Sequence, residues 1–154
     1  YVNDAKIIQA VGQMWQRIGV KTQVEGLTWP TFIGRAGKQE FSLYLLGWGT
    51  PTGESLYPLR ALVGTSSPDK GWGTANRGKY SNPAVDALIN KALAIGDDKT
   101  REPVLMEATR VAMNDLAFIP LHIQKNIWAT RAGLTYQARV DEETLVQFLT
   151  PSAK

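Results

Sequence analysis

The chain has no cysteine among its 154 residues and a single histidine, His122. The first absence removes disulfides, thiolate metal sites and cysteine nucleophiles together. It is compatible with an oxidising compartment without establishing one. A lone histidine with no cysteines and no nearby carboxylate cluster cannot make a zinc site of the usual kind. As a catalytic base it would need a nucleophile and an orienting partner, and neither shows in the sequence. His122 therefore reads as a structural residue of the apolar run Ile119-Pro-Leu-His-Ile123. No apolar run approaches the roughly 18–20 residues that span a bilayer. Lys and Arg exceed Asp and Glu by three and are scattered along the chain. A nucleic-acid surface would show a basic stripe instead, so that class is set aside. Thr50-Pro-Thr-Gly53 lacks the spaced glycines and the Gly-Lys-Ser/Thr ending of a phosphate loop. The adjacent pairs Asp97-Asp98 and Glu142-Glu143 do not converge on one reacting atom and read as solvated charge. There is no initiator Met, and a secretion signal is expected upstream of Tyr1.

What remains is a chain that is 44% hydrophobic and 20% charged, of a length that fits one domain. Asn3 or Asp4 can cap a helix to about Ile18, with Ile7, Ile8, Val11, Trp15 and Ile18 on one stripe and Gly19 as the stop. Val20–Leu27 alternates as a half-buried strand. Thr28 can cap a second helix, with Pro30 in its first turn, that ends near Gly37. Phe41–Trp48 follows as a strand rich in aromatic and branched residues. This order predicts an α/β layer with neighbouring parallel strands. Residues 49–83 are rich in Gly, Pro, Ser and Thr, interrupted by a short helix at Ser55–Val63; long irregular stretches in compact domains are often functional. Pro83 opens a helix to about Ile95, capped by Asn82 or Ser81. A Gly96-Asp-Asp98 turn leads to another helix, Lys99 to about Asp115. Val85, Leu88, Ile89 and Leu93, with Val104, Met106 and Val111, mostly describe a helical hairpin covering the sheet. Phe118–Ala129 has strand character. Thr135–Val140 is of extended type but lacks an obvious partner within the chain.

The run Phe41-Ser-Leu-Tyr-Leu-Leu-Gly-Trp-Gly49 points to ligand binding rather than bond-breaking. Glycine on both sides of Trp48 bares the backbone, and the ring adds a broad amphipathic surface beside it. Trp15 and Trp128 read as core, the latter with an interface as its alternative. Trp29, Trp48 and Trp72 stand at element ends or in loops, where such rings either close a core edge or contact a ligand, with ligand contact expected more at Trp48 and Trp29 than at Trp72. Glu54, Asn76, Arg77 and Tyr80 share the irregular region. Two readings stand for them: orienting a polar ligand, or hydrogen-bonding loop backbone.

Four segments carry a family resemblance: Ala10-Val-Gly-Gln-Met-Trp-Gln-Arg-Ile-Gly-Val-Lys21, Trp29-Pro-Thr-Phe32, Phe41-Ser-Leu-Tyr-Leu-Leu-Gly-Trp48 and Tyr80-Ser-Asn-Pro-Ala-Val-Asp-Ala-Leu-Ile89. Ala117-Phe-Ile-Pro-Leu-His122 adds a fifth. In order and spacing they resemble the C-terminal part of the dipeptide/oligopeptide-binding family (family 5) of solute-binding proteins of bacterial ABC importers. The resemblance implies one lobe of a two-lobed, type II periplasmic-binding-protein-like fold, a sheet flanked by helices. Residues 1–132 would be the second, ligand-binding lobe, incomplete at its N-terminus. Residues 133–154 would be a return segment that packs on the first lobe or pairs with another copy of the chain as a dimer. It further implies a periplasmic protein with no cofactor, which takes a peptide or similar small polar solute in an interlobe cleft and works with ABC permease subunits. By position, Trp29 and Trp48 match cleft tryptophans, and Gly49 and Thr50 match backbone beside the ligand. Peptide binders of the family commonly carry an aspartate at the place of Pro51, where it pairs with the ligand's ammonium group; proline cannot. Glu54, three residues on, is the candidate substitute. The alternative classes are an α/β hydrolase or other small-molecule enzyme, against which the missing catalytic constellation argues, and a surface interaction module, for which no amphipathic or basic signature exists.

Overall fold

Asp4–Arg17 forms α1, Trp29–Gly37 α2, Leu56–Pro58 α3, Pro83–Leu93 α4 and Asp98–Asn114 α5, in a computed structural model that describes residues 3–50 and 52–152. Pro51, the position expected to replace the family's aspartate, lies outside the described residues. Each helix starts and stops close to where the sequence places it. Thr28 precedes α2 with Pro30 in its first turn, as expected. The Asn82 side chain accepts from the Ala84 N–H at 2.9 Å at the start of α4. Asp97 caps α5 with 2.8 Å to the Thr100 N–H and 2.6 Å to its hydroxyl, which holds the Asp97 carboxyl below the usual carboxylate range.

The core lies between α4 and α5 and the irregular stretch before them. Val85, Ile89 and Ala92 of α4 and Leu105, Ala108 and Ala112 of α5 are buried together with Leu59, Val63 and Trp72. The small residues Ala92, Ala108 and Ala112 let the two helices approach closely. Leu93 and Met106, expected on this face, are exposed, and on α5 the buried stripe is Leu105, Ala108 and Ala112 instead. Trp72, of the three loop tryptophans the one least expected to touch ligand, closes the core edge: it is 8% exposed and belongs to the core. Trp15 is half-buried rather than core, and Ile18, at the end of the expected stripe, is exposed.

The expected helical segment Ser55–Val63 is α3 followed by a wide turn, Leu59–Val63, closed by the Gly64 N–H on the Leu59 carbonyl at 2.9 Å. This i→i+5 bond is the mark of a π-helix. It leaves the Arg60 and Ala61 carbonyls to accept from the Gly73 and Ala75 N–H groups, each at 3.0 Å. The loop is thereby stitched to the helix along its backbone. The Asn76 side chain completes the stitching from inside the fold. Its Nδ2 donates to the Gly64 carbonyl at 3.0 Å and the Tyr80 carbonyl at 2.7 Å, while its Oδ1 accepts from the Tyr80 N–H at 3.0 Å.

Two expectations about strands are corrected. Val20–Leu27, Phe41–Trp48 and Phe118–Ala129 have no ladder partner among the described residues, so the expected layer of parallel strands is not formed there. Alternation and β-propensity specify a face, whereas a sheet is stabilised by its cross-strand pairs. The apolar faces of these segments stay open, with Ile123 at 94% and Ile127 at 91% exposure. Conversely, the C-terminal segment does find a partner within the chain. Leu134–Tyr136 (β1) pairs antiparallel with Leu149–Pro151 (β2), in the register Leu134 to Pro151, Thr135 to Thr150 and Tyr136 to Leu149. Trp128 packs its ring 5.9 Å from Tyr136, and its Nε1 donates to the Thr144 hydroxyl at 3.0 Å. This self-pairing removes the unpartnered backbone that motivated a contact between copies. The fold is thus mixed helix and strand with one small sheet.

Candidate ligand-binding site

Three separate parts of the fold hold the residues singled out in the sequence. The first is a groove of about 780 Å³ between α1, α2 and the segments around Val24 and Leu45. Trp29 stands on its wall, more than half exposed, with its ring 5.8 Å from Phe32. Phe32 in turn stacks on Phe41 at 6.1 Å and meets Tyr44 edge-on at 5.8 Å. Arg35 lies over Phe41 at 4.6 Å and bonds Glu25 at 2.6 Å and Glu40 at 2.9 Å. Those bonds, from Glu25 first and then Glu40, raise the Arg35 guanidinium above its usual value. One arginine therefore ties α2 to the segments on both sides of it.

The second structure is the rim around Trp48. Its ring lies 5.8 Å from Tyr57 at 30°, and 38% of the residue is exposed. A methyl group placed on Gly49 would meet nothing within 4 Å, so the backbone there is open. The Thr50 hydroxyl donates to the Glu54 carbonyl at 3.0 Å, the Gly53 N–H donates to the Thr50 carbonyl at 3.1 Å, and the Glu54 N–H donates to the Thr52 hydroxyl at 3.3 Å. The Glu54 carboxylate receives Arg101 Nε from α5 at 2.6 Å.

The third is the loop of Asn76 and Arg77. Asn76 is 8% exposed and spends its amide on the loop backbone, as described above. Arg77 Nη1 reaches the Ala75 carbonyl at 3.5 Å, and the residue is half-buried. Tyr80 and Asn82 both donate to Asp115 Oδ2, at 2.7 and 2.9 Å, which fastens the loop to the end of α5. The bonds from Asn82 and then Tyr80 hold the Asp115 carboxyl below its usual range, while burial, followed by Asp115, pushes the Tyr80 hydroxyl up.

Trp48, Thr50 and Glu54 thus belong to one rim, and Asn76 and Arg77 to the loop stitched beside α3 and α4. Trp29 lines a groove that none of the other six touches. Of the two readings open for Asn76, the geometry displays the hydrogen bonds to loop backbone. Tyr57 and Arg101 were not singled out in the sequence. Nothing in a charged helix marks which arginine will meet a carboxylate 47 positions earlier. Among the described residues no group of three His, Asp or Glu side chains is placed to hold a metal, and no helix is long and apolar enough to cross a membrane. The arrangement offers open backbone, exposed rings and braced polar groups, which suits holding a ligand.

No family model matches the chain. It is similar to solute-binding proteins over most of its length. Heme-binding protein A of Haemophilus influenzae is 26% identical over 119 residues, 77% of this chain and 21% of that protein. Periplasmic oligopeptide-binding protein OppA of Salmonella typhimurium is 27% identical over 122 residues, 79% of this chain and 21% of that protein. Glutathione-binding protein GsiB of the same species is 27% identical over 136 residues, 84% of this chain and 26% of that protein. The chain spans about a fifth to a quarter of the length of these relatives. The resemblance to the dipeptide/oligopeptide type of solute-binding protein, read from the four sequence segments, is borne out by these relatives. They are binding proteins by name, not enzymes.

Proposed function

We propose that this chain belongs to the extracytoplasmic solute-binding component of an ABC importer, and that it takes a peptide or similar small polar solute. The observation that carries this reading is the agreement of several relatives, each a binding protein and each similar over about three quarters or more of this chain. In this reading residues 1–132 are the second lobe of a two-lobed protein, and residues 133–154 return toward the first lobe. The ligand lies between the lobes, where closure about a hinge encloses it. Main-chain contacts hold a peptide while tolerating varied side chains, and Gly49 and Thr50 supply that backbone beside Trp48. Trp29 forms a further part of the wall, and Asn76 and Arg77 support it from the neighbouring loop. The protein acts in the periplasm, exported by a signal upstream of this chain, and hands its solute to permease subunits. It carries out no chemistry of its own.

Two measurements test this. Native mass spectrometry of the full-length protein, purified without refolding, is expected to show a co-purifying mass in the range of short peptides or similar polar solutes. A ligand-free protein that binds no member of a panel of dipeptides, tripeptides and other small polar solutes by calorimetry sinks the proposal. In the same protein, Trp48→Ala is expected to raise the dissociation constant about 5- to 30-fold, the size of a buried aromatic contact at an interface. Its cost to stability is the pairing with Tyr57, about 0.5–1.5 kcal/mol. Loss of folding instead of loss of binding would mark Trp48 as part of the core.

A further inference from the structure

We infer that Arg101 is a positioning residue for the ligand rim, acting through Glu54, and that Glu54 is a structural anchor rather than the receptor for a ligand's ammonium group. The inference rests on the binding role proposed above. Arg101 lies one turn into α5, on a helix that contributes no other group to the rim. Its guanidinium makes three bonds: Nε to Glu54 Oε1 at 2.6 Å, Nη1 to the Ile95 carbonyl at 3.1 Å and Nη2 to Asp98 Oδ1 at 2.6 Å. The fork is therefore fixed from the side of the helical hairpin before it reaches the rim. Asp98 is an exposed partner, with 88% of its side chain in solvent, whereas the Arg101 and Glu54 side chains are only 21% and 31% exposed. The Glu54 pair is the less screened of the two, and it spans 47 positions of sequence.

Glu54 is also the residue on which the rim's own bonds converge. Its carbonyl accepts from Thr50 and its N–H donates to Thr52. Fixing its carboxylate consequently fixes the Thr50 and Thr52 hydroxyls. A carboxylate already held by a guanidinium at 2.6 Å is a poor receptor for a second cation. The rim's contribution to affinity is then shape and backbone direction, and a ligand's amino group is read elsewhere.

Hydrogen exchange and calorimetry on the full-length protein test this together. Arg101→Gln and Glu54→Gln are each expected to speed exchange at the Gly53 and Glu54 amides about fivefold, the upper range for a partly exposed ion pair. At those two amides the double variant is expected to match either single one, since each single variant already removes the Arg101–Glu54 pair. Asp98→Asn, which cuts only the exposed bond, is expected to leave those amides unchanged. Dipeptide affinity should fall about three- to tenfold in either single variant, by the same factor for a free dipeptide and its N-acetylated form. Arg101→Lys should restore part of it. Unchanged exchange in Arg101→Gln overturns the inference, as does a loss in Glu54→Gln confined to peptides with a free amino group. If wild-type protein binds no peptide, the function proposed above fails, and the exchange data alone then decide whether Arg101 holds the rim.

Discussion

Trp72→Ala is expected to lower the free energy of unfolding by about 3–5 kcal/mol, the range for removing a buried tryptophan. Trp72 is nearly fully buried and belongs to the cluster of Leu59, Val63, Val85 and Ile89. Its backbone also pairs with Ser67 in both directions, each bond at 3.1 Å. Truncation therefore opens a cavity at the junction of the stitched loop and the helical hairpin. A domain is typically stable by only about 5–15 kcal/mol, so this loss takes a large share of the total. Urea unfolding followed by far-ultraviolet circular dichroism measures it, with the midpoint moving and the slope constant. An unchanged midpoint would show that Trp72 does not fill the core. The contrast with Trp48→Ala is the informative part. Two tryptophans in one irregular stretch are expected to fail in opposite ways, one by unfolding and one by losing ligand.

Gly73→Ala is expected to cost about 2–4 kcal/mol, from a left-handed backbone and a steric collision acting together. Gly73 has φ 61°, and a Cβ there would stand 2.7 Å from the Gly64 carbonyl oxygen and 2.7 Å from Ser66 Cα. Both neighbours are backbone, so neither can swing aside as a side-chain end would. Gly71 provides the control. Its φ is 64°, but a Cβ there meets nothing within 4 Å. Gly71→Ala should therefore cost only the conformational part, about 1–2 kcal/mol. Thermal unfolding of the two variants separates space from dihedral strain. Equal melting temperatures would mean that the loop relaxes freely and that its stitching to the wide turn is weak.

Helices were legible because their signals are local. Thr28 with Pro30 and Asn82 with Pro83 each mark a start within a few residues of where the helix begins, whereas Asp97, read as solvated charge, turns out to be the cap of α5. The burial of Val85 and Ile89 follows from their spacing on one helical face. That a loop tryptophan such as Trp72 closes a core edge is a reading its residue type allows, but its partners Leu59 and Val63 reach it through a π turn that no composition signals. Val20–Leu27 and Phe41–Trp48 have the alternation and residue types of strands, yet a ladder needs a partner, and partners are not written in a strand's own residues. The pairing of Leu134–Tyr136 with Leu149–Pro151 escaped notice for the same reason. At the rim, Trp48, Gly49 and Glu54 were visible as residue types. The link from Glu54 to Arg101 and the stacking on Tyr57 are long- and medium-range contacts, and only geometry displays them.

The wide turn at Leu59–Val63 makes chain length itself a specified quantity. Deleting one residue there would put Gly64 four positions after Leu59, so the same N–H to carbonyl bond would close an ordinary helical turn. The tighter turn would rotate the Arg60 and Ala61 carbonyls away from the Gly73 and Ala75 N–H groups that now use them. The exposed tip Pro68–Lys70 differs, since its backbone bonds stay within the turn closed by Ser67 and Trp72. Between Leu59 and Gly64 the count of residues is as much a part of the fold as their identity.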